Sequence, residues 1–175
     1  SNNNNNNLGL TIAPTLNCNF KCTYCYEERA ARQVLFMNKE TSDNVINFIR
    51  HQIGGPNASV FISWYGGEPL LAMNTIYYIS QELKKLYGNR LNASITTNGF
   101  LLTEKVAKML QESNVTSAQI TVDGLKETHD ERRPFIGGNV SSFDTIINNI
   151  KHNAKYLRRI DIRANIDKQN EEEIP

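Results

Sequence analysis

The sequence is poor in cysteine, and its few cysteines are not spread along the chain. Its 175 residues contain three cysteines, five prolines and one tryptophan. All three cysteines fall between Cys18 and Cys25. A secreted disulfide framework needs an even number of distributed cysteines, so this grouping instead favours reduced thiols. We therefore predict a cytoplasmic protein.

The sequence also lacks an excess of either charge and any long apolar run. Nineteen lysines and arginines nearly cancel 18 aspartates and glutamates, which leaves a net charge of +1. A nucleic-acid-binding domain normally carries a basic footprint, and a transmembrane helix needs about 20 apolar residues. No charged-then-apolar signal peptide opens the sequence. We expect neither nucleic acid nor a membrane as a partner.

The length is that of one domain with a sizeable core. Residues 1–7 are one serine and six asparagines, a polar low-complexity stretch that cannot bury apolar surface. We expect residues 1–7 to be disordered or the remnant of an added tag. The folded domain is then expected to cover residues 8–175.

Strand-like and helix-like patterns alternate along this domain. Apolar alternation predicts five strands, and four-residue apolar spacing predicts helices between them. The fifth strand, near residues 160–166, keeps one polar face, which we expect to line a cavity. The pattern of residues 26–36 is mixed and predicts neither a helix nor a strand. The predicted strands are 8–15, 60–65, 91–97, 116–123 and 160–166, and the predicted helices are 38–53, 74–87, one capped by Thr103 and one capped by Ser141 or Ser142. Repeated strand–helix units predict an α/β fold with a parallel sheet.

Three cysteines so close together can converge on one soft metal centre. Thiolates select zinc, copper(I) or iron–sulfur clusters. A structural zinc site usually has four protein ligands, but no fourth cysteine exists and the histidines (His51, His129 and His152) lie far along the chain. A 4Fe–4S cluster on three cysteines would leave one iron open to a small molecule. Incidental, non-ligating cysteines are the alternative.

The spacing C-x3-C-x2-C, with Tyr24 just before the last cysteine, resembles the signature of the radical S-adenosylmethionine (radical SAM) enzymes. The resemblance implies that Cys18, Cys22 and Cys25 each hold one iron of a 4Fe–4S cluster. SAM would chelate the fourth iron and be cleaved by an electron to a 5′-deoxyadenosyl radical, which abstracts a substrate hydrogen. Tyr24 would pack beside the adenine of SAM. No further catalytic residue is assigned.

Gly66-Gly67-Glu68-Pro69 follows the second predicted strand. The glycines allow close approach of the backbone to a ligand or a positive φ, and the carboxylate and free backbone carbonyls there can accept hydrogen bonds from an ammonium group. A plain turn is the alternative. After the cysteine motif, the segment resembles the GGEP motif of the same family, which implies that Gly66, Gly67, Glu68 and Pro69 bind the amino group of SAM.

Two further polar residues follow later predicted strands: Asn98 ends the third strand and Asp123 ends the fourth. Both lie at the sheet edge where α/β folds build their sites. Together with the segment 121–133, they resemble the peptide- and protein-modifying branch, which includes anaerobic sulfatase-maturating enzymes. The resemblance implies SAM contacts from Asn98, Thr121 and Arg133, with Arg132 competing for the role of Arg133. A solvated charged turn is the alternative for both arginines. His129 and His152 are expected to be solvated without a role, and Asp123 either orients substrate or starts a turn.

The family barrel has six βα units, whereas about five are predicted here, so we expect a partial (βα)6-type barrel. Relatives in this branch also carry a cysteine-rich C-terminal extension, but no cysteine follows Cys25. We therefore expect the N-terminal catalytic part of a longer enzyme that modifies a peptide or protein. A flavodoxin or ferredoxin would supply the electron. The alternatives are a radical SAM enzyme for a small metabolite or nucleic acid, and a non-catalytic metal-binding module.

Overall fold

The computed structural model describes residues 6–26 and 35–173, which form a five-stranded parallel sheet with helices between its strands. Neighbouring strands in space are also neighbours in sequence, in the order β1-β2-β3-β4-β5. This arrangement confirms the predicted α/β class and the partial parallel barrel. The strands are β1 (Asn7–Ile12), β2 (Ser59–Trp64), β3 (Leu91–Thr97), β4 (Val115–Thr121) and β5 (Arg159–Arg163).

Helices connect the strands, and three of them begin at a side-chain cap. Asn38, Thr103 and Ser141 each accept a hydrogen bond from a backbone N–H of the first turn, which satisfies a donor that the helix leaves unpaired. The helices are α1 (Lys39–Gln52), α2 (Met73–Tyr87), α3 (Glu104–Glu112), α4 (Lys126–Arg132) and α5 (Ser142–Asn153). Helix α4 replaces the charged turn that the sequence suggested there. None of the described helices is both long and apolar enough to cross a bilayer.

The two faces of the sheet differ in character. Val60, Ile62 and Trp64 of β2 are almost fully buried and belong to the same apolar core as residues of α2. On the other face, Ser63 is in register with Ser94 of β3. The polar face therefore belongs to the side of the sheet away from the main core.

Strand β1 starts one residue before the expected domain boundary. Asn7 pairs with Ser59, and the Asn6 carbonyl accepts a hydrogen bond from the Ser59 N–H at 2.7 Å. The strand ends at Ile12, earlier than predicted, because Pro14 cannot donate to a ladder. The predicted disorder of residues 1–5 lies outside the described residues, as do residues 27–34 of the unassigned stretch.

Candidate active site

The cysteine loop, residues 18–25, is held on one side by residues 132–136, here called the clamp segment. The Lys21 N–H donates to the Pro134 carbonyl at 3.0 Å, and the Ile136 N–H donates to the Asn19 carbonyl at 3.0 Å. A third bond joins the Thr23 N–H to the Arg132 carbonyl, also at 3.0 Å. These bonds form a short antiparallel pairing that fixes the loop without using its thiols.

The turn after β2 holds the chain just before the cysteine loop. The Gly67 N–H donates to the Thr15 carbonyl at 3.2 Å, and the Glu68 N–H donates to the Asn17 carbonyl at 2.8 Å. A Cβ on Gly67 would lie 2.4 Å from the Asn17 oxygen, and Gly66 has a φ of +120°. The positive φ allowed by glycine is thus found at Gly66, and the close approach at Gly67 is to a second backbone segment rather than to a ligand.

All three cysteines border the same cavity, of about 360 Å³, at the carboxyl ends of the strands. They also border a second groove, of about 460 Å³, which is lined by Leu16, Phe36 and Leu71 among others. Burial raises the pKa of Cys18 to about 12 and also raises the pKa of Cys22. These thiols are protonated at neutral pH, so binding a metal must displace their protons.

Within residues 6–26 and 35–173, no group of three or more His, Cys, Asp or Glu side chains could hold a single metal ion. An iron–sulfur cluster makes a different demand on its ligands. Each cysteine binds a different iron of the cluster, so the thiols need not share one atom. The shared cavity is therefore the observation that bears on a cluster.

The cavity brings most of the predicted SAM-binding residues together. They come from the cysteine loop, the β2 turn and the ends of β3 and β4, as expected of strand carboxyl ends, and from the clamp segment. Predicted site residues that line it are Cys18, Cys22, Tyr24, Cys25, Gly66, Gly67, Asn98, Thr121 and Arg133. Glu68 and Pro69 are buried but do not line the cavity.

The Glu68 carboxylate is fully buried and is engaged within the protein. It accepts hydrogen bonds from the Thr97 hydroxyl at 2.6 Å, the Asn98 N–H at 2.7 Å and the Leu70 N–H at 3.0 Å. Burial raises the pKa of Glu68, and these three donors oppose the rise. This differs from the expectation that the carboxylate faces the SAM amino group, because its oxygens instead join the β2 turn to the end of β3.

Asn98 is also engaged with the cysteine loop. Its side-chain amide donates to Asn19 Oδ1 at 2.7 Å, and its own Oδ1 accepts from the Phe100 N–H at 3.0 Å. The residue lines the cavity, so its position fits the prediction. Its amide also helps to place the loop that carries the cysteines.

The two competing arginines have different environments. Arg133 lines the cavity, and its Nη1 donates to the Tyr24 hydroxyl and lies 3.8 Å from the Asp123 carboxylate. Arg132 instead points to the chain after β5, where Nη1 pairs with Asp167 at 2.7 Å. Both arginines are buried, so the alternative interpretation of this segment as a solvated charged turn is wrong. Of these two arginines, Arg133 is the one that lines the cavity.

Asp123 and His129 form a buried pair that the sequence analysis did not predict. Asp123 accepts from the Tyr24 hydroxyl and from the Asn165 N–H, the latter at 2.8 Å. Its own N–H donates to His129 Nδ1 at 3.2 Å, which assigns the proton of the neutral ring to Nε2. The prediction that His129 is solvated is wrong, because α4 buries the ring completely.

An aromatic cluster of Phe20, Phe100 and Phe135 packs the cysteine loop against the clamp segment. The rings of Phe100 and Phe135 stack at 4.3 Å, and Phe20 meets Phe100 edge-on at 5.5 Å. Phe20 is buried and also lines the cavity. The position of Phe20 between two cysteines was visible in the sequence, but its distant partners were not.

We predict that Gly67→Ala destabilises the fold by about 1–3 kcal/mol and lowers iron incorporation. The new Cβ would overlap the backbone oxygens of Leu16 and Asn17, which cannot rotate away. Gly54→Ala is the matched control, since a Cβ there meets nothing within 4 Å. Thermal unfolding and iron per chain measure the effect. Equal values for Gly67→Ala and the wild type would show that the close approach is unimportant.

We predict that acid destabilises the protein through His129. Burial, and to a lesser extent Arg133, lowers its pKa to about 4, below the value near 6.5 of an unfolded chain. The stabilisation is therefore complete above pH 6.5 and is lost as the pH falls toward 4, by up to about 3 kcal/mol. His129→Gln should flatten this part of the urea-unfolding pH profile. His152→Gln, at an exposed histidine of α5, should leave the profile unchanged, and an unchanged profile in both variants would contradict the assignment.

Comparison with known proteins agrees with this geometry. Residues 12–175 match the model of the radical SAM superfamily. The cysteine-type anaerobic sulfatase-maturating enzyme of Clostridium novyi is 29% identical over 173 residues, which cover 95% of this chain and 46% of that enzyme. The GTP 3′,8-cyclase of Aliarcobacter butzleri is 33% identical over 120 residues, which cover 68% of this chain and 36% of the cyclase.

Among solved structures, native anSMEcpe with bound AdoMet and Cp18Cys peptide has a TM-score of 0.75 at 26% identity. The match covers 90% of this chain and 42% of that chain. This chain thus spans less than half the length of these relatives. With its family match, cysteine spacing and parallel sheet, the chain belongs to the radical SAM superfamily.

Proposed function

We propose that the cysteine loop binds one 4Fe–4S cluster and that the adjoining cavity binds SAM, for hydrogen abstraction from a peptide or protein. The observation that carries this proposal is the single cavity shared by Cys18, Cys22 and Cys25 with the polar ends of β3 and β4. Relatives with the same fold are longer, so the activity of the whole enzyme is part of the proposal.

The donor set fits this cofactor pair. Three thiols without a fourth suit a cluster that keeps one iron for a small-molecule ligand, since thiolates are the usual cluster ligands. Among the residues that line the cavity, Arg133 has a buried Nε without a hydrogen-bond partner in the described part of the chain. When bound, the cluster supplies the electron that cleaves SAM and so generates the 5′-deoxyadenosyl radical.

The side chains around the cavity would hold and orient SAM. Thr121 and Arg133 present a hydroxyl and a guanidinium for the carboxylate or ribose of SAM. The Tyr24 hydroxyl is fixed by Asp123 and Arg133, which sets its ring at the cavity wall. Phe20 contributes an apolar wall, and excluding water there would protect a radical from stray hydrogen donors.

We assign the SAM amino group to the backbone carbonyls of Gly66 and Gly67, because the Glu68 carboxylate is already engaged by three donors within the protein. Glu68 and Pro69 are buried beneath this turn and support it. A low-potential carrier such as flavodoxin or ferredoxin is the proposed electron donor, in a reducing cytoplasm. This assignment keeps the expected SAM site but moves the role of Glu68 from ligand contact to support.

A peptide or protein is the proposed substrate class, because of the likeness to a sulfatase-maturating enzyme and to a peptide-bound structure. The likeness to a GTP 3′,8-cyclase favours a small-molecule substrate as the second candidate. The cavity itself, of about 360 Å³, admits part of either. The two candidates are therefore separated by experiment.

We predict that Cys22→Ala abolishes assembly of the 4Fe–4S cluster, because its thiolate is an iron ligand. The measurement is iron and sulfide per chain after anaerobic reconstitution, together with the cluster EPR signal. Thr23→Ala is the matched control, since Thr23 lies in the same loop with an exposed side chain. A full iron complement in Cys22→Ala would overturn the cluster assignment.

We predict that the holoprotein with dithionite converts SAM to 5′-deoxyadenosine, and that a substrate of the right class increases the yield. The probes are the Cp18Cys peptide and GTP, each compared with SAM alone by liquid chromatography. Stimulation by the peptide alone supports the maturase proposal, and stimulation by GTP alone supports the second candidate. Absence of 5′-deoxyadenosine with an intact cluster would contradict the proposed function.

A further inference from the structure

Asn19 lies between the first two cysteines of the cysteine loop. We propose that its side-chain amide donates a hydrogen bond to a sulfur of the 4Fe–4S cluster or of its cysteine ligands, and that this bond raises the reduction potential of the cluster. The proposal rests on the proposed function, since it concerns the same cluster. Its tests need neither SAM nor a substrate.

A chain of hydrogen bonds fixes which end of the Asn19 amide is the oxygen. The Phe100 N–H can only donate, so the atom that accepts from it at 3.0 Å is the side-chain oxygen of Asn98. The side-chain nitrogen of Asn98 therefore donates, and Asn19 Oδ1 accepts from it at 2.7 Å. Because each amide carries one oxygen and one NH2 group, Asn19 Nδ2 keeps both of its hydrogens for another partner.

Asn19 Nδ2 is a buried donor, yet residues 6–26 and 35–173 provide no hydrogen-bond partner for it. A buried donor without a partner destabilises a fold, and such a group calls for a partner such as a bound ion or cofactor. The main chain of Asn19 is already engaged, since its carbonyl accepts from the Ile136 N–H at 3.0 Å. The side-chain nitrogen is therefore the group that this residue offers to a ligand.

The surroundings of Asn19 point to sulfur as the partner. Asn19 follows Cys18 directly, and together with all three cysteines it lines the second groove, of about 460 Å³. The loop already presents one donor to sulfur, since the Phe20 N–H donates to Cys18 Sγ at 3.4 Å. Phe20 and Ile136 give the groove apolar walls beside Asn19, and a hydrogen bond is electrostatically stronger in such low-dielectric surroundings.

A hydrogen bond to sulfur changes the two oxidation states of a cluster unequally. Reduction adds one negative charge to the cluster, and a donor stabilises an acceptor more strongly as its negative charge increases. Hydrogen bonds to the sulfurs are accordingly among the factors that set the potential of an iron–sulfur cluster. The Asn19 amide would thus make the cluster easier to reduce, and its removal should lower the potential.

The first experiment measures the reduction potential of the reconstituted holoprotein without SAM, by redox titration followed by EPR. Asn19→Ala should shift the one-electron equilibrium about tenfold toward the oxidised cluster, which corresponds to a potential lower by about 59 mV. Asn19→Asp keeps an oxygen for Asn98 but replaces the donor with an acceptor, so it should lower the potential at least as much. Thr23→Ala is the matched control, at an exposed residue of the same loop that lines neither cavity nor groove. Wild-type potentials in both Asn19 variants would overturn the proposal.

The second experiment separates donation to sulfur from a purely structural role of Asn19. Holoprotein labelled with 15N in its asparagine side-chain amides is reduced, and pulsed EPR measures the coupling of 15N to the cluster. The coupling should be present in the wild type and in Asn17→Ala, which changes another asparagine of the second groove, and it should be lost in the isosteric variant Asn19→Asp. A wild type without this coupling, or a coupling that survives in Asn19→Asp, would refute the proposal. Iron and sulfide per chain, measured on the same samples, report separately on whether the cluster itself is bound.

Discussion

The main-chain hydrogen bonds that hold the cysteine loop are the constraint on which the rest of the site depends. The loop lies between two segments that are distant in sequence, the β2 turn and the clamp segment. Metal ligands bind well only when their backbone is already positioned. These bonds use carbonyl and N–H groups alone, so none of them involves the three thiols.

A second set of contacts centres on Asp123 and connects the elements around the cavity. Its carboxylate joins Tyr24 of the cysteine loop to Asn165 after β5, and its N–H reaches His129 of α4. A buried carboxylate is tolerated because each of its oxygens has a donor. The cysteine loop is therefore connected to the residues after β4 and β5 through this side chain and through the Asn165 amide, which donates to the Tyr24 hydroxyl at 3.0 Å.

The sequence allowed prediction of the sheet and of the residues at its edge, because both depend on local patterns. Alternating apolar residues identify strands such as Val60–Trp64, and parallel strands bring their carboxyl ends together. The burial of His129 could not be predicted in this way, because its partner is a backbone N–H whose position depends on the turn after β4. Helix α4 was missed for a related reason, since its charged residues are typical of a solvated segment unless their partners are known. The engagement of Glu68 with Asn98, 30 residues later, likewise has no local signal.

The pairing between the cysteine loop and the clamp segment has a consequence for how such a chain can diverge. The bonds from Lys21, Thr23 and Ile136 are made by backbone atoms, so a change of side chain at these positions leaves the donors of these bonds in place. Lys21, Thr23 and Ile136 are exposed. New surface chemistry can therefore arise beside the three cysteines while the backbone geometry of their loop is inherited unchanged.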